Sequence, residues 1–425
     1  MEERVLIRNV KVVSPGAETT VRDVFMANGR WSFPATAPAD VEEIDGSGKI
    51  LFPGLYDLHA HLREPGREDS ETMATGCEAA LAGGFTGLTA MPDTSPPVDN
   101  GGMVHSLREI AQRTARIPVE IAGCMTRGRL GQELAEIGEM QSRGAVMITD
   151  DPDPVANPQV LRRALQYARG LDVLVATTCD VRELSGAGAM HDGPASYRLG
   201  LPGLHPCAEE IGIARDIRLA QSCSSRIHIR GISTARSVET IRRYKSEGVA
   251  VTAEVFPHHL LFTDEAVGDY DTAYKVMPPL RPESDRQALL QAVRDGVIDV
   301  LATDHTPHTW FEKTRDFGSA PFGMTGLATA LPALHHYLIA RELLSWEILV
   351  QRFSTAPRRL LGLDAPVIAE GSAVNAVLFD PEAPVTFTPE VLKSPARNTP
   401  FLDQTLTGKV VWVALGERVL VNHLP

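Results

Sequence analysis

The sequence is poor in cysteine and has none of the usual cysteine patterns. Cys77, Cys124, Cys179, Cys207 and Cys223 are five in number, widely spaced and without a C-x-x-C pair. That argues against a disulfide framework and points to reduced thiols in a cytoplasmic protein. Basic charge is also short, with 41 Lys and Arg against 54 Asp and Glu, a formal net charge of −13 and no basic block. A nucleic-acid groove needs clustered cations, so that class drops out. No apolar run reaches membrane-spanning length. The opening "MEERVLIRNVKVV" lacks a basic region followed by a long apolar core, so it does not read as a secretory leader. No glycine-rich phosphate turn follows an early strand, which argues against a doubly wound dinucleotide-binding sheet. Internal repeats and low-complexity tracts are also missing.

What is present is ordinary globular composition in 425 residues, 43% hydrophobic and 22% charged, ample for a large core. Eight short apolar, β-rich stretches recur along the chain: "GLYDLHAHL", "GLTAMPD", "VEIAGCM", "AVMITDD", "VLVATTC", "RIHIRGIST", "VAVTAEVF" and "VIDVLATDH". Helix-like stretches lie between several of them, at 69–84, 157–170 and 234–248, and each ends in glycine, a common helix stop. Eight strands alternating with helices predict an α/β fold, a (β/α)8 TIM-like barrel over residues 52–363. Residues 1–51 and 364–425 read instead as short strands and turns. Neither flank has enough strands for a core of its own. The expectation is one small β domain built from both chain ends, with the barrel inserted between them.

"FPGLYDLHAHLREPG" places His59 and His61 two residues apart at the end of an apolar run. Strand side chains alternate, so both imidazoles point to one side and can grip one metal ion. Barrel enzymes work at the C-terminal ends of their strands. Those ends hold His59, His61 and Arg63 on the first strand and Asp93 on the second. The fourth ends in Asp150 and Asp151, and the eighth carries Asp304, His305 and His308. Singly, each has a plain reading: a structural histidine pair, a turn at "TDD", a helix cap at Asp304. Together they fall on one face of one barrel. Imidazoles with carboxylates suit zinc or a similar divalent ion.

"DLHAHLREPG", "MPDTSPP", "TDD", "MHDGP", "GLPG", "TAEVFPHHL", "PPLR", "ATDHTPH" and "APFG" together resemble the dihydroorotases of the amidohydrolase superfamily. The likeness is to the branch that bridges its metals with an aspartate, and it covers essentially the whole chain in order. Hydantoinases and allantoinases share the architecture but usually carry a bridging lysine where this chain has "MITDD". The resemblance implies a metal-dependent hydrolase of cyclic amides that interconverts dihydroorotate and N-carbamoyl-L-aspartate in pyrimidine biosynthesis. It implies His59, His61, Asp151 and Asp304 as metal ligands, with Asp304 also the catalytic base. On the substrate side it implies Arg63 and His308 on the carboxylate, with a backbone segment at Phe322 and Gly323. Two substrate positions depart from the family: an asparagine after the second strand is Asp93 here, and one before "PPLR" is Met277. An acid beside an anionic substrate repels it unless it is protonated or paired.

The resemblance also implies two further ligand histidines, at the ends of the fifth and sixth strands. Thr178 and Gly231 stand there instead. The second metal site should then be empty or very weak, leaving one zinc. Among possible substitutes, Cys179 and His228 have the wrong strand parity. Asp180 has the right parity and reads as a solvent or supporting group. Three functions remain open: a one-metal dihydroorotase, a non-catalytic scaffold for aspartate carbamoyltransferase, and a related cyclic amidase of the hydantoinase or allantoinase type. The resemblance suggests a homodimer or a complex with the carbamoyltransferase.

Overall fold

The computed structural model describes residues 4–34 and 41–424. The remaining positions of the expected terminal domain, 1–3, 35–40 and 425, lie outside the described residues. Eight strands form one parallel sheet: β1 (Leu55–Ala60), β2 (Phe85–Ala90), β3 (Val119–Gly123), β4 (Ala145–Ile148), β5 (Leu174–Thr178), β6 (Ile227–Arg230), β7 (Val251–Val255) and β8 (Val300–Leu301). Each pairs with the next in sequence order. The ring closes where Ala60 bridges His305 in parallel and the His61 N–H donates to the His305 carbonyl at 2.9 Å. Buried Asp57 on β1 adds a second tie by accepting the Thr303 N–H at 2.8 Å. β1, β2, β6 and β8 are buried along their whole length. A parallel sheet under helices is covered on both faces, which is why these strands read as continuous apolar runs.

The helices start where their caps dictate. Thr72 accepts from the Thr75 N–H at the head of Met73–Ala82, and Thr234 accepts from the Ser237 N–H at the head of Ala235–Ser246. Asn157 caps Pro158–Leu171, with proline in the first turn. One expected stop fails. Pro158–Leu171 runs through Gly170 and is capped by Asp172, which takes the left-handed conformation (φ 53°) that glycine usually supplies. Aspartate tolerates that region through its short polar side chain.

The second sheet joins both chain ends. Its strands run in the order Arg418–Asn422, Thr405–Leu415, Asn375–Thr386, Ile50–Pro53, Val5–Val12, Thr20–Ala27 and Arg30–Ser32, with Glu42–Asp45 also on Val5–Val12. The seam is Ile50–Pro53, antiparallel to the C-terminal strand (Leu51 opposite Leu378) and parallel to the N-terminal one. Val5, Ile7, Val10 and Val12 all reach this sheet's core, although strict alternation would put 10 and 12 on the other face. A register shift between Ile7 and Val10, with Asn9 at φ 51°, inserts the extra residue. Trp31 and Trp412 fill the centre of that core. The barrel packs on the opposite side of the seam through Phe52, which meets Trp346 at 5.4 Å between ring centroids.

Candidate metal centre

The end of β1 lifts His59 and His61 into the mouth of the barrel, where both are 2% exposed. Their Nε2 atoms converge on one carboxylate oxygen: Asp151 Oδ2 lies 3.1 Å from His59 Nε2 and 3.4 Å from His61 Nε2. Asp304 Oδ1 approaches the same two nitrogens at 3.4 and 3.8 Å. His59, His61 and Asp151 each offer a ligand atom within 4.8 Å of the others, a spacing that fits one cation. The rear of each ring is also fixed. His59 Nδ1 is 2.8 Å from Glu254 Oε1 on β7, and His61 Nδ1 is 2.7 Å from Asp93 Oδ1 after β2. A carboxylate behind each imidazole sets a tautomer whose Nε2 lone pair would be open to an ion. This donor set fits a zinc-like ion.

The electrostatics follow from this crowding. Burial and the nearby Arg230 charge push His59 down, but Asp151 and Glu254 override both and raise it to about 10. His61 is raised as well, with Asp93 and Asp304 prevailing over burial. Asp151 is held well below the usual carboxylate range, against burial, by Arg230 and the two imidazoles. The site is therefore strongly cation-seeking.

The four other strand-end positions behave differently. Thr178 is no ligand mimic; its hydroxyl donates to Asp151 Oδ1 at 2.8 Å, the oxygen turned away from the histidines. Gly231 ends β6 at φ +57°, and a Cβ placed there would sit 2.8 Å from the Phe256 ring and 3.2 Å from Pro278. No side chain fits. Cys179 faces the helix Cys207–Ser222, with Sγ 3.4 Å from Asp216 Oδ2. Asp180 accepts from the Ser185 hydroxyl and pairs with Arg182 at 3.7 Å.

Above the histidines lies a cavity of about 260 Å³ lined by His61, Arg63, Asp93, Met277, Asp304, His308, Phe322 and Gly323, together with Pro152, Arg182 and Thr306. It gathers every substrate-side position singled out from the sequence. Asp93 does not stand there as a free charge. Its Oδ2 accepts from Arg63 Nη1 at 2.6 Å while its Oδ1 meets His61. Arg63 Nε donates to the Pro307 carbonyl at 3.2 Å, leaving Nη2 for a ligand. His308 is oriented otherwise than expected of a carboxylate donor. Its Nε2 lies 2.8 Å from the Phe322 carbonyl, and its buried Nδ1 makes no hydrogen bond, with Glu312 Oε2 at 3.8 Å. Burial and the Arg63 charge push its pKa down to about 3, so the ring is neutral. The Gly323 N–H already donates to the Lys275 carbonyl, and its φ of +126° beside Thr306 requires glycine. Two non-glycine residues facing this cavity, Arg63 (φ 62°) and Asp304 (φ 51°), adopt positive φ. Such outliers persist where the surrounding structure holds a functional group in place.

Sequence reasoning missed Glu254 and Arg230. Both were within reach of the parity rule that found His59 and His61, because His228 and Arg230 are spaced the same way on β6 and both side chains meet Glu254 of β7.

Comparison with known proteins places this geometry in context. The family model described as "Dihydro-orotase-like" matches residues 48–237. A dihydroorotase of Pelotomaculum thermopropionicum is 43% identical over 422 residues, 99% of each chain. One from Desulforapulum autotrophicum is 40% identical over 98% of each. Among solved structures, an L-hydantoinase from Arthrobacter aurescens superposes with a TM-score of 0.87 at 22% identity, covering 100% of this chain and 97% of that one. A dihydropyrimidinase from Brevibacillus agri gives 0.85 at 23%, covering 99% and 95%. The structural likeness establishes the barrel with its terminal β domain.

Proposed function

The chain belongs to the dihydroorotase family and is a metal-dependent cyclic amide hydrolase of pyrimidine biosynthesis; from that premise we propose that it works with a single divalent ion, held by His59, His61, Asp151 and Asp304. The observation that carries the one-ion reading is the division of Asp151. Its Oδ2 faces both imidazoles, whereas its Oδ1 is taken by the Thr178 hydroxyl. A bridging role for Asp151 would need Oδ1 free and two more ligands, and Thr178 and Gly231 supply neither. Zinc suits the donors, and such an ion supplies the Lewis acidity that makes water nucleophilic near neutral pH.

The chain's own residues do the rest. Asp304, beside both imidazoles, accepts the proton of the attacking water and returns it to the ring nitrogen as the cyclic amide opens. Thr306 Oγ1, 3.2 Å from Asp304 Oδ1, fixes the direction of that carboxylate. Arg63 is pre-set by Asp93 and Pro307 and offers Nη2 to the substrate carboxylate. Because the Asp93 charge is spent on Arg63 and His61, it does not repel an anionic ring. A scaffold for aspartate carbamoyltransferase needs none of these pairings, so the geometry favours an enzyme. No helix among the described residues is long and apolar enough to cross a membrane. We place the reaction in the cytoplasm, with its five reduced thiols.

The test is ring opening of dihydroorotate by zinc-loaded protein, with Asp304→Ala alongside. Turnover that falls by about 10²–10⁴-fold in the variant supports the reading. Equal turnover in both, or turnover unaffected by chelation, ends it.

A further inference from the structure

Arg230 plays no part in the reaction described above, yet its guanidinium sits beside the centre and its side chain is 1% exposed. Nε lies 3.4 Å from Glu254 Oε1, and Nη1 lies 3.8 Å from Asp151 Oδ1, 3.4 Å from Thr149 Oγ1 and 2.9 Å from Met91 Sδ. Nη2 is buried with no hydrogen-bond partner. Enclosing a guanidinium while leaving one nitrogen unbonded is costly, and an apolar side chain would fill the same space more cheaply. The position therefore calls for a charge.

We propose that Arg230 is a built-in second cation, a fixed positive charge beside Asp151 that stands where a second metal ion would otherwise be needed and limits the centre to one ion. The inference rests on the reading of His59, His61, Asp151 and Asp304 as a cation site. Two observations carry it further. The first is charge balance. Ion pairs link four carboxylates to the centre (Asp93, Asp151, Asp304 and Glu254) and two guanidiniums (Arg63 and Arg230). Once a bound ion has displaced their protons the imidazoles are neutral; one divalent ion then brings this buried set to neutrality, and a second would leave two uncompensated positive charges. The second is space. At Gly231, the next residue, the Phe256 ring fills the volume any ligand side chain would need. Arg230 itself arrives from β6 on the same face as His228, and both are tied to Glu254.

A fixed cation has an effect that a merely structural arginine lacks. It repels the ion it sits beside while stabilising negative charge that develops on the substrate. Removing it should therefore tighten metal binding and slow turnover together. The experiment is calorimetric titration of zinc into the chelator-stripped full chain, as wild type, Arg230→Met and Arg230→Lys, with ring-opening kcat measured on each. The wild type should bind one zinc per chain. Arg230→Met should bind zinc at least about tenfold more tightly, with kcat reduced about 10²-fold or more. Arg230→Lys, which keeps the charge, should hold zinc within about threefold of wild type.

Two zinc ions per wild-type chain overturn the inference. So does an Arg230→Met protein that binds zinc equally or more weakly, the outcome of a structural role. Should Arg230→Met fail to fold, wild-type stoichiometry and the lysine variant decide. One zinc, with near-native affinity in Arg230→Lys, supports the proposal, and a shift beyond tenfold in that variant refutes it. A wild type that binds no zinc at all overturns the cation site itself, a different failure from a one-zinc centre indifferent to Arg230.

Discussion

The ends of β1 and β6 carry the same device and put it to opposite uses. Each presents two basic side chains two residues apart on one face: His59 and His61 on β1, His228 and Arg230 on β6. On β1 the chain stays extended through His61, whose N–H is bonded to the His305 carbonyl, so both imidazoles reach the barrel mouth and share Asp151. On β6 the extended run stops at Arg230, and Gly231 turns the backbone to φ +57°. His228 then lies lower, with Nδ1 2.8 Å from the Thr252 hydroxyl and Nε2 3.2 Å from Glu254. Arg230 brings a permanent charge to the level where β1 brings the proposed ligands. Ligand or counter-charge is thus decided by the side-chain type and by where the strand ends, on a common lattice of alternating positions.

Breaking the β1 side should have the largest effect. Asp304→Asn removes the proposed proton acceptor while keeping shape, and kcat should fall by about 10³-fold with zinc still bound, read by steady-state kinetics and metal analysis. Asp93→Asn comes next. It weakens the support behind His61 and unclamps Arg63 at once, so zinc affinity should fall about 10- to 100-fold and KM for dihydroorotate should rise. Unchanged zinc affinity would show that Asp93 serves Arg63 alone. Arg63→Lys, which loses the planar fork, should raise KM about tenfold with little change in kcat.

The β6 side can be probed by trying to make it resemble β1. Gly231→His places an imidazole at the position the family would use, but with positive φ and a Cβ against Phe256. It should lower stability by about 1–3 kcal/mol in denaturant melts and bind no second zinc. A stable variant holding two zinc ions would show that the missing histidine, and not the shape of the strand end, sets the stoichiometry.

The smallest effect concerns the turn after β6. Buried Glu209 accepts the N–H groups of Ser233 and Thr234 and pairs with Arg281 at 3.3 Å. Burial works against ionisation, but Arg281 and the Ser233 and Ser237 hydroxyls prevail and lower its pKa. A carboxylate whose folded pKa is depressed adds stability above its unfolded pKa of about 4.3 and loses it as pH falls through the folded value. Between pH 7 and 5 the wild type should therefore keep its full margin over Glu209→Gln, and that margin should shrink as pH falls below about 4.3. A margin that stays constant into acid would show that hydrogen bonding, and not the charge, holds this turn.

The barrel was legible because its parallel strands are continuous apolar runs separated by capped helices. His59 and His61 were legible because period-two spacing needs no tertiary information. What escaped depended on where elements stop. Gly170 looked like a helix end, but a glycine inside a helix costs only about 1 kcal/mol and the helix ran on to Asp172. Attention to the absent histidine at 231 hid Arg230 next to it, since an arginine on a strand ordinarily reads as exposed. Asp93 read as a repulsive acid because the sequence alone does not show that Arg63 and His61 both close on it. His308 was placed at the cavity by its motif, but the direction of its Nε2 toward the Phe322 carbonyl depends on a loop fourteen residues away.

If one ion with Arg230 beside it makes a complete catalytic centre, zinc added in measured equivalents to chelator-stripped protein should raise dihydroorotate ring opening linearly, with a break to a plateau at one zinc per chain. A plateau reached only at two zinc ions per chain would show that the centre needs a second metal.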